Sequence, residues 1–82
     1  MKILVNVKVP VIEQQYDILI PADMRIRGAI SLIVKTIEEL SNHLYVSSGD
    51  EVLCSRERNV QLKGNDTVAS CGIKNGDHLY LM

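Results

Sequence analysis

The sequence predicts an α+β protein in which one amphipathic helix lies across one face of a mixed, four- to five-stranded sheet. Two observations carry this. From Ile26 to Leu40 the apolar residues Ile26, Ala29, Ile30, Ile33, Val34, Ile37 and Leu40 recur at the spacing of one helix face. Arg27, Ser31, Lys35, Glu38 and Glu39 fall on the opposite face and suit water. Elsewhere the apolar residues form short, β-branched or alternating runs separated by turn residues. A sheet must therefore cover the helix stripe, because no second helix is available to do so.

Taken in order, Lys2–Val9 alternates, with Ile3, Val5, Val7 and Val9 on one side and Lys2, Leu4, Asn6 and Lys8 on the other. This is the pattern of a strand with one buried face. Pro10 ends it, since proline has no amide to donate. Val11–Gln15 turns the chain, and Tyr16–Ile20 is a second strand with Tyr16, Ile18 and Ile20 on one face and Asp17 and Leu19 on the other. The link is too short for a crossover, so these two strands pair antiparallel. Pro21, Ala22 and Asp23 lead into the helix, with Asp23 as its expected N-cap. Gly28 inside the helix implies a close approach to the sheet, and the helix is expected to end near Ser41 and Asn42.

His43–Asp50 reads as a loop anchored by Leu44, Tyr45 and Val46. Glu51–Ser55 reads as a third strand, with Val52 and Cys54 inward and Leu53 outward. A polar turn over Arg56–Asn59 leads to a short fourth strand, Val60–Leu62. Thr67–Ile73 is expected to form a helical turn docked by Val68 and Ile73. Asn75-Gly76 is a strong turn signal, and His78–Met82 closes as a fifth strand with Leu79 and Leu81 inward and Tyr80 and Met82 outward. A right-handed crossover through the helix sets the first and last strands side by side at the centre. That order is the ubiquitin-like β-grasp, expected as a single domain over residues 1–82.

Composition narrows the function classes. The chain is 46% hydrophobic with no Trp or Phe, so its core is aliphatic. Nine basic and ten acidic residues give a net charge of −1, without the basic excess of a nucleic-acid binder. Asn6 and Lys8 break the N-terminal apolar run, so no signal-peptide core is present and no run approaches membrane-spanning length. A cytoplasmic, reduced chain without membrane insertion is expected, with Cys54 and Cys71 as packing residues. The sequence carries no catalytic constellation. The cysteines have no partner base, His43 and His78 lack metal-ligand spacing, and Gly72 and Gly76 make no phosphate loop. No catalytic residue, cofactor or metal is expected.

Three stretches carry a family resemblance. Tyr16-Asp17-Ile18-Leu19-Ile20-Pro21-Ala22, Ile26–Val34, and Cys71-Gly72-Ile73-Lys74-Asn75-Gly76-Asp77-His78-Leu79-Tyr80-Leu81 resemble the second strand, the helix and the closing turn and strand of the YukD/EsaB group. These are small ubiquitin-like proteins encoded with bacterial type VII (ESX-like) secretion systems. The resemblance implies an accessory or regulatory role there, docking on a cytosolic part of the secretion membrane machinery. Read as the natural end, Met82 leaves no Gly-Gly tail for conjugation. The rival reading is a ubiquitin-like carrier or modifier whose tail is absent from this sequence.

The expected functional surface is the outer sheet face, which should be polar in a sheet covered on one side. Leu4, Leu19, Leu53, Tyr80 and Met82 break that rule and are expected to form one apolar patch. The partner-binding set is Leu4, Leu53, Tyr80 and Met82, rimmed by Lys2, Lys8 and His78, with Leu32 as a second candidate. Its occupant is a protein partner or a second copy, giving a monomer or a weak homo-oligomer. Arg25 and Arg27 near the helix N-terminus, and Glu38 and Glu39 near its C-terminus, oppose the helix dipole. They read either as a solvated face with Lys35 near both glutamates or as charges kept for a partner.

Overall fold

Strand β1 (Lys2–Val9) buries Ile3, Val5, Val7 and Val9, the β-branched set of its period-two pattern. A short 3₁₀ turn, Pro10–Ile12, and a left-handed Glu13 reverse the chain into β2 (Gln14–Pro21). β2 pairs antiparallel with β1 from Val9↔Gln14 to Lys2↔Pro21. Helix α1 (Ile26–Leu40) follows, then β3 (Leu53–Ser55), β4 (Val60–Gln61) and β5 (His78–Leu81). The strand order across the sheet is β2-β1-β5-β3-β4, and β1 pairs with β5 in parallel at the centre. This is the expected β-grasp, seen in a computed structural model that describes residues 1–82.

The core forms between α1 and the sheet. Ile26, Ala29, Ile33, Val34 and Ile37 of the helix meet the inward side chains of the strands, together with Val68 and Ile73. Ile30, on the edge of the stripe, is half-buried, and Leu40 is exposed. The segment Thr67–Gly72 docks through Val68 as a pair of turns rather than a helix, held by bonds from the Cys71 amide to the Thr67 carbonyl and from the Gly72 amide to the Ala69 carbonyl.

Both helix ends differ from a side-chain-capped helix. Asp23 is not the N-cap; Arg25 takes that position, and its side chain makes no cap bond. The first amides instead find backbone acceptors, Ile26 donating to the Asp66 carbonyl (2.8 Å) and Arg27 to the Gly64 carbonyl (3.1 Å). Orphan donors at a helix start must be satisfied from somewhere, and here the Lys63–Asp66 loop does it. The Arg25 side chain reinforces that loop by donating to the Asn65 carbonyl (2.7 Å). At the other end Asn42 adopts a left-handed φ of 55°, and the His43 and Asn42 amides donate back to the Glu38 and Glu39 carbonyls. This is the Schellman pattern, with asparagine in place of the usual glycine. Gly28 does not face the sheet. A Cβ there would meet Cγ of Met24 at 3.3 Å.

The loop after the helix is pinned by two carboxylates. Glu51 accepts from the Tyr45 hydroxyl (2.7 Å), the Ser48 amide (2.9 Å), and the Ser47 hydroxyl and Gly49 amide (both 3.2 Å). Glu38 accepts from the Ser47 amide at 3.0 Å. Neither Glu38 nor Glu39 pairs with Lys35; the one close contact between a carboxylate and a basic side chain is His78 Nδ1 to Glu57 Oε2 at 2.7 Å. Of the three expected anchors only Tyr45 is buried; Leu44 and Val46 face outward, since the single Tyr45 side chain together with Glu51 holds the loop.

Burial alone raises the Glu51 pKa, but the bonds from Tyr45, Ser48 and Ser47 outweigh it and hold the carboxyl below its ordinary range. Glu57 is also lowered, by the side-chain and backbone bonds from His78. A depressed carboxylate stabilises the fold above its unfolded pKa, and that contribution is lost as pH falls through the folded value. The thermal midpoint should therefore drop as pH is lowered through and below about 4. Glu51→Gln should show a lower midpoint at neutral pH and a shallower acid decline; a calorimetric pH series with an unchanged slope for the variant would refute this role.

Candidate functional site

On the outer sheet face the register sorts side chains into rows. Leu4 lies opposite Leu19 and Lys2 opposite Pro21, at the end where β1 begins. Next comes a polar row, Asp17–Asn6–His78, in which Asn6 Nδ2 donates to Asp17 Oδ1 at 3.0 Å. The third row reads Gln15–Lys8–Tyr80–Cys54–Gln61. Met82 follows beyond β5, exchanging two backbone bonds with Val52 (3.0 and 3.2 Å).

Three expectations about this face change. Leu53 is not on it: its side chain is 0% exposed in the core, opposite Leu81 of β5. The inward and outward sets of β3 are exchanged, because a shift of one residue in a strand moves every side chain to the other face. Cys54 and Val52 are accordingly half-buried rather than inward, and Ser55 is buried with its hydroxyl accepting from the Arg58 amide at 3.2 Å. Cross-strand pairing sets this facing. The Leu62 amide donates to the Leu53 carbonyl (2.8 Å), so an inward Leu62 across the Arg56–Asn59 turn implies an inward Leu53.

Second, the apolar residues do not make one patch. Leu4 (42% exposed) and Leu19 lie with Lys2 at one end, and the polar row separates them from Tyr80 and Met82 (63% exposed). Third, Leu32 is half-buried against the core and offers no separate surface.

What the fold does bring together is the outer row of β5 with its flanks. His78 and Tyr80 stand between Lys8 of β1 and Arg56, which follows β3 and donates its amide to the His78 carbonyl at 3.0 Å. Lys8, Arg56, His78, Tyr80, Asn6 and Gln15 line a shallow pocket of about 180 Å³. Further along the strand, Met82 joins an apolar groove of about 400 Å³ with Pro10, Val11, Tyr45, Val46 and Leu81. Val11 (77% exposed) and Val46 (72% exposed) are its most open members. Neither is expected at the site from the sequence, where Val46 reads as a loop anchor, because they lie in a turn and a loop far apart along the chain.

His78 is held by Glu57, whose carboxylate accepts the His78 amide (3.0 Å) and contacts Nδ1 at 2.7 Å. Cys71 is half-buried, with burial and Asp66 raising its thiol and Arg58 partly offsetting them, so it is not a poised thiolate. No group of three or more His, Cys, Asp or Glu side chains is placed to hold a metal ion. No helix is long and apolar enough to cross a membrane.

One helix on a mixed five-stranded sheet with parallel first and last strands defines a ubiquitin-like fold. The model of the family described as WXG100 protein secretion system (Wss), protein YukD, matches residues 4–81, and the chain belongs to that family. No curated protein sequence matches it. Among solved structures, the ubiquitin-like domain of the Mycobacterium tuberculosis type VII secretion system protein ECCD1 superposes with a TM-score of 0.78 at 16% identity, covering 100% of this chain and 98% of that one. The EccD5 ubiquitin-like domain of Mycobacterium xenopi gives 0.72 at 17% identity, with 100% and 93% covered. Caldiarchaeum subterraneum ubiquitin gives 0.72 at 12% identity, with 99% and 91% covered. At these identities the likeness is one of fold.

The two faces of the sheet should separate cleanly in mutagenesis. Leu53→Ala is expected to cost about 2–5 kcal/mol of folding stability, as for other fully buried leucines. Tyr80→Ala should cost less, about 1.5 kcal/mol or below, since Tyr80 lies on the outer face and is only partly buried. Urea unfolding of both variants measures the difference, and equal costs would contradict the burial assigned to Leu53.

Proposed function

We propose that the chain is a non-catalytic, cytosolic accessory component of a type VII secretion system that docks a protein partner through the outer row of β5. The observation that carries this reading is the track from the partly buried His78 and Tyr80 through the exposed Met82 into the Pro10–Val11–Val46 groove, flanked by Lys8 and Arg56. Exposed apolar surface rimmed by polar groups is the usual signature of a protein interface. Membership of a secretion-associated family supports the class of partner. Leu4, Leu19 and Lys2, at the far end of the sheet, fall outside the contact in this reading.

The test is capture of partners from solubilised host membranes and cytosol, read by mass spectrometry, with three baits. Wild type and Leu4→Ala/Leu19→Ala should enrich secretion-system components. Tyr80→Ala/Met82→Ala should lose them while keeping a cooperative thermal transition. Undiminished capture by the last bait would move the contact away from β5. Recovery of an adenylating enzyme in place of secretion components would favour the carrier reading.

A further inference from the structure

We propose that the segment docking on β5 presents a carboxylate side chain, read jointly by Lys8 and Arg56 above His78 and Tyr80, next to an aliphatic residue seated in the Met82 groove. This inference rests on the docking reading above and specifies the chemistry of the occupant.

The first ground is a cationic lining in a nearly neutral chain: Lys8 and Arg56 line the pocket and no carboxylate does. The whole chain carries a net charge of −1, yet Lys8 and Arg56 flank β5 from its two neighbouring strands without an ion-pair partner. Two carboxylates that touch lining residues of this pocket are engaged with other groups. Glu57 accepts the His78 amide and contacts its Nδ1, and Asp17 accepts the Asn6 side-chain amide. Both carboxylates keep their charge but are turned to these groups rather than to Lys8 or Arg56.

The second ground is geometry. Adjacent strands lie about 4.8 Å apart and residues two apart on a strand about 7 Å, so Lys8, beside Tyr80, and Arg56, beside His78, rise from positions roughly 12 Å apart with β5 between them. Long, flexible side chains at that separation can converge on one anionic group over the strand. Arginine can add a bidentate bond, and the lysine ammonium a point charge. The pocket they share, about 180 Å³, suits a side chain rather than a large ligand. Met82 follows Tyr80 by two residues, just beyond the end of β5, so at the rise of extended chain the cationic pocket and the apolar groove are separated by about 7 Å. A peptide bearing an acidic residue close to an aliphatic one spans that distance.

The test is selection of a random-peptide phage library on the immobilised chain, with counter-selection on Lys8→Gln/Arg56→Gln. Both substituted residues are exposed, so the variant keeps the fold. Enriched peptides should carry a recurrent Asp or Glu near an aliphatic residue. A synthetic copy should perturb the backbone amides of Tyr80 and Met82. Neutralising its acid to Asn or Gln should weaken binding about tenfold or more, as loss of a charge-assisted bond does. The double variant should show the same loss. If peptides map to β5 but keep their affinity when the acid is neutralised, the carboxylate inference fails and the docking reading stands. If enriched peptides map elsewhere, or none is enriched, both fail.

Discussion

The parallel pairing of β1 with β5 is the constraint on which the other elements depend. Two parallel neighbours cannot be joined by a tight turn, so the chain between them must leave the sheet and return. Here the chain between them contains β2, the helix, the pinned loop, β3, β4 and the docked turns. The ladder is started by side-chain mimicry of a strand. The Leu4 amide donates to Asn75 Oδ1 and the Leu4 carbonyl accepts the Gly76 amide, both at 2.8 Å, before the Asn6 amide reaches the Asp77 carbonyl at 2.9 Å. Once β5 is placed in this way, Leu79 and Leu81 face the helix. β3 pairing on its other side then has only one register that buries Leu53.

The helix shows how tertiary contacts replace local signals. Its first turn has no acidic residue and no side-chain cap, and arginines stand where the dipole disfavours them. The cost is offset by the carbonyls of Gly64 and Asp66, which accept the first amides, and by the bond from Arg25 to the Asn65 carbonyl. At the other end Glu38, unfavourable for the dipole, secures the Ser47 amide. Charges that look misplaced on an isolated helix thus tie it to the loops at both of its ends, and Glu51 completes the second tie.

Those ties bear on the surface. The loop held by Glu38, Glu51 and Tyr45 places Val46 beside Met82 and the Pro10–Val11 turn, so the groove exists only while the loop is pinned. The polar Asp17–Asn6–His78 row cuts the outer face in two, which gives the β5 track a defined end. Ubiquitin-like folds at 12–17% identity share the backbone arrangement while their surfaces are free to differ. A functional reading of this chain therefore has to come from its own exposed residues and its family rather than from the fold.

The alternation of Lys2–Val9, the three-and-four spacing of Ile26–Ile37 and the turn at Asn75-Gly76 were enough to determine the strand and helix content, the antiparallel β1–β2 pair and the β-grasp order. Each of these is written in local periodicity, and burying one face of each element leaves few ways to assemble them. The facing of β3 was not legible in this way. Val52, Leu53 and Cys54 are all apolar, so the run into the short β3 offers no alternation to read. Only pairing with Leu81 and Leu62 turned Leu53 inward and left Cys54 half-exposed. The same holds for the helix start and for the site. Loop carbonyls capped the helix in place of Asp23, and the convergence of Lys8, Arg56, Tyr80 and Met82 with Val11 and Val46 joins residues far apart in the chain. Such contacts are set by which segments the closed sheet brings within reach, a property that no local spacing records.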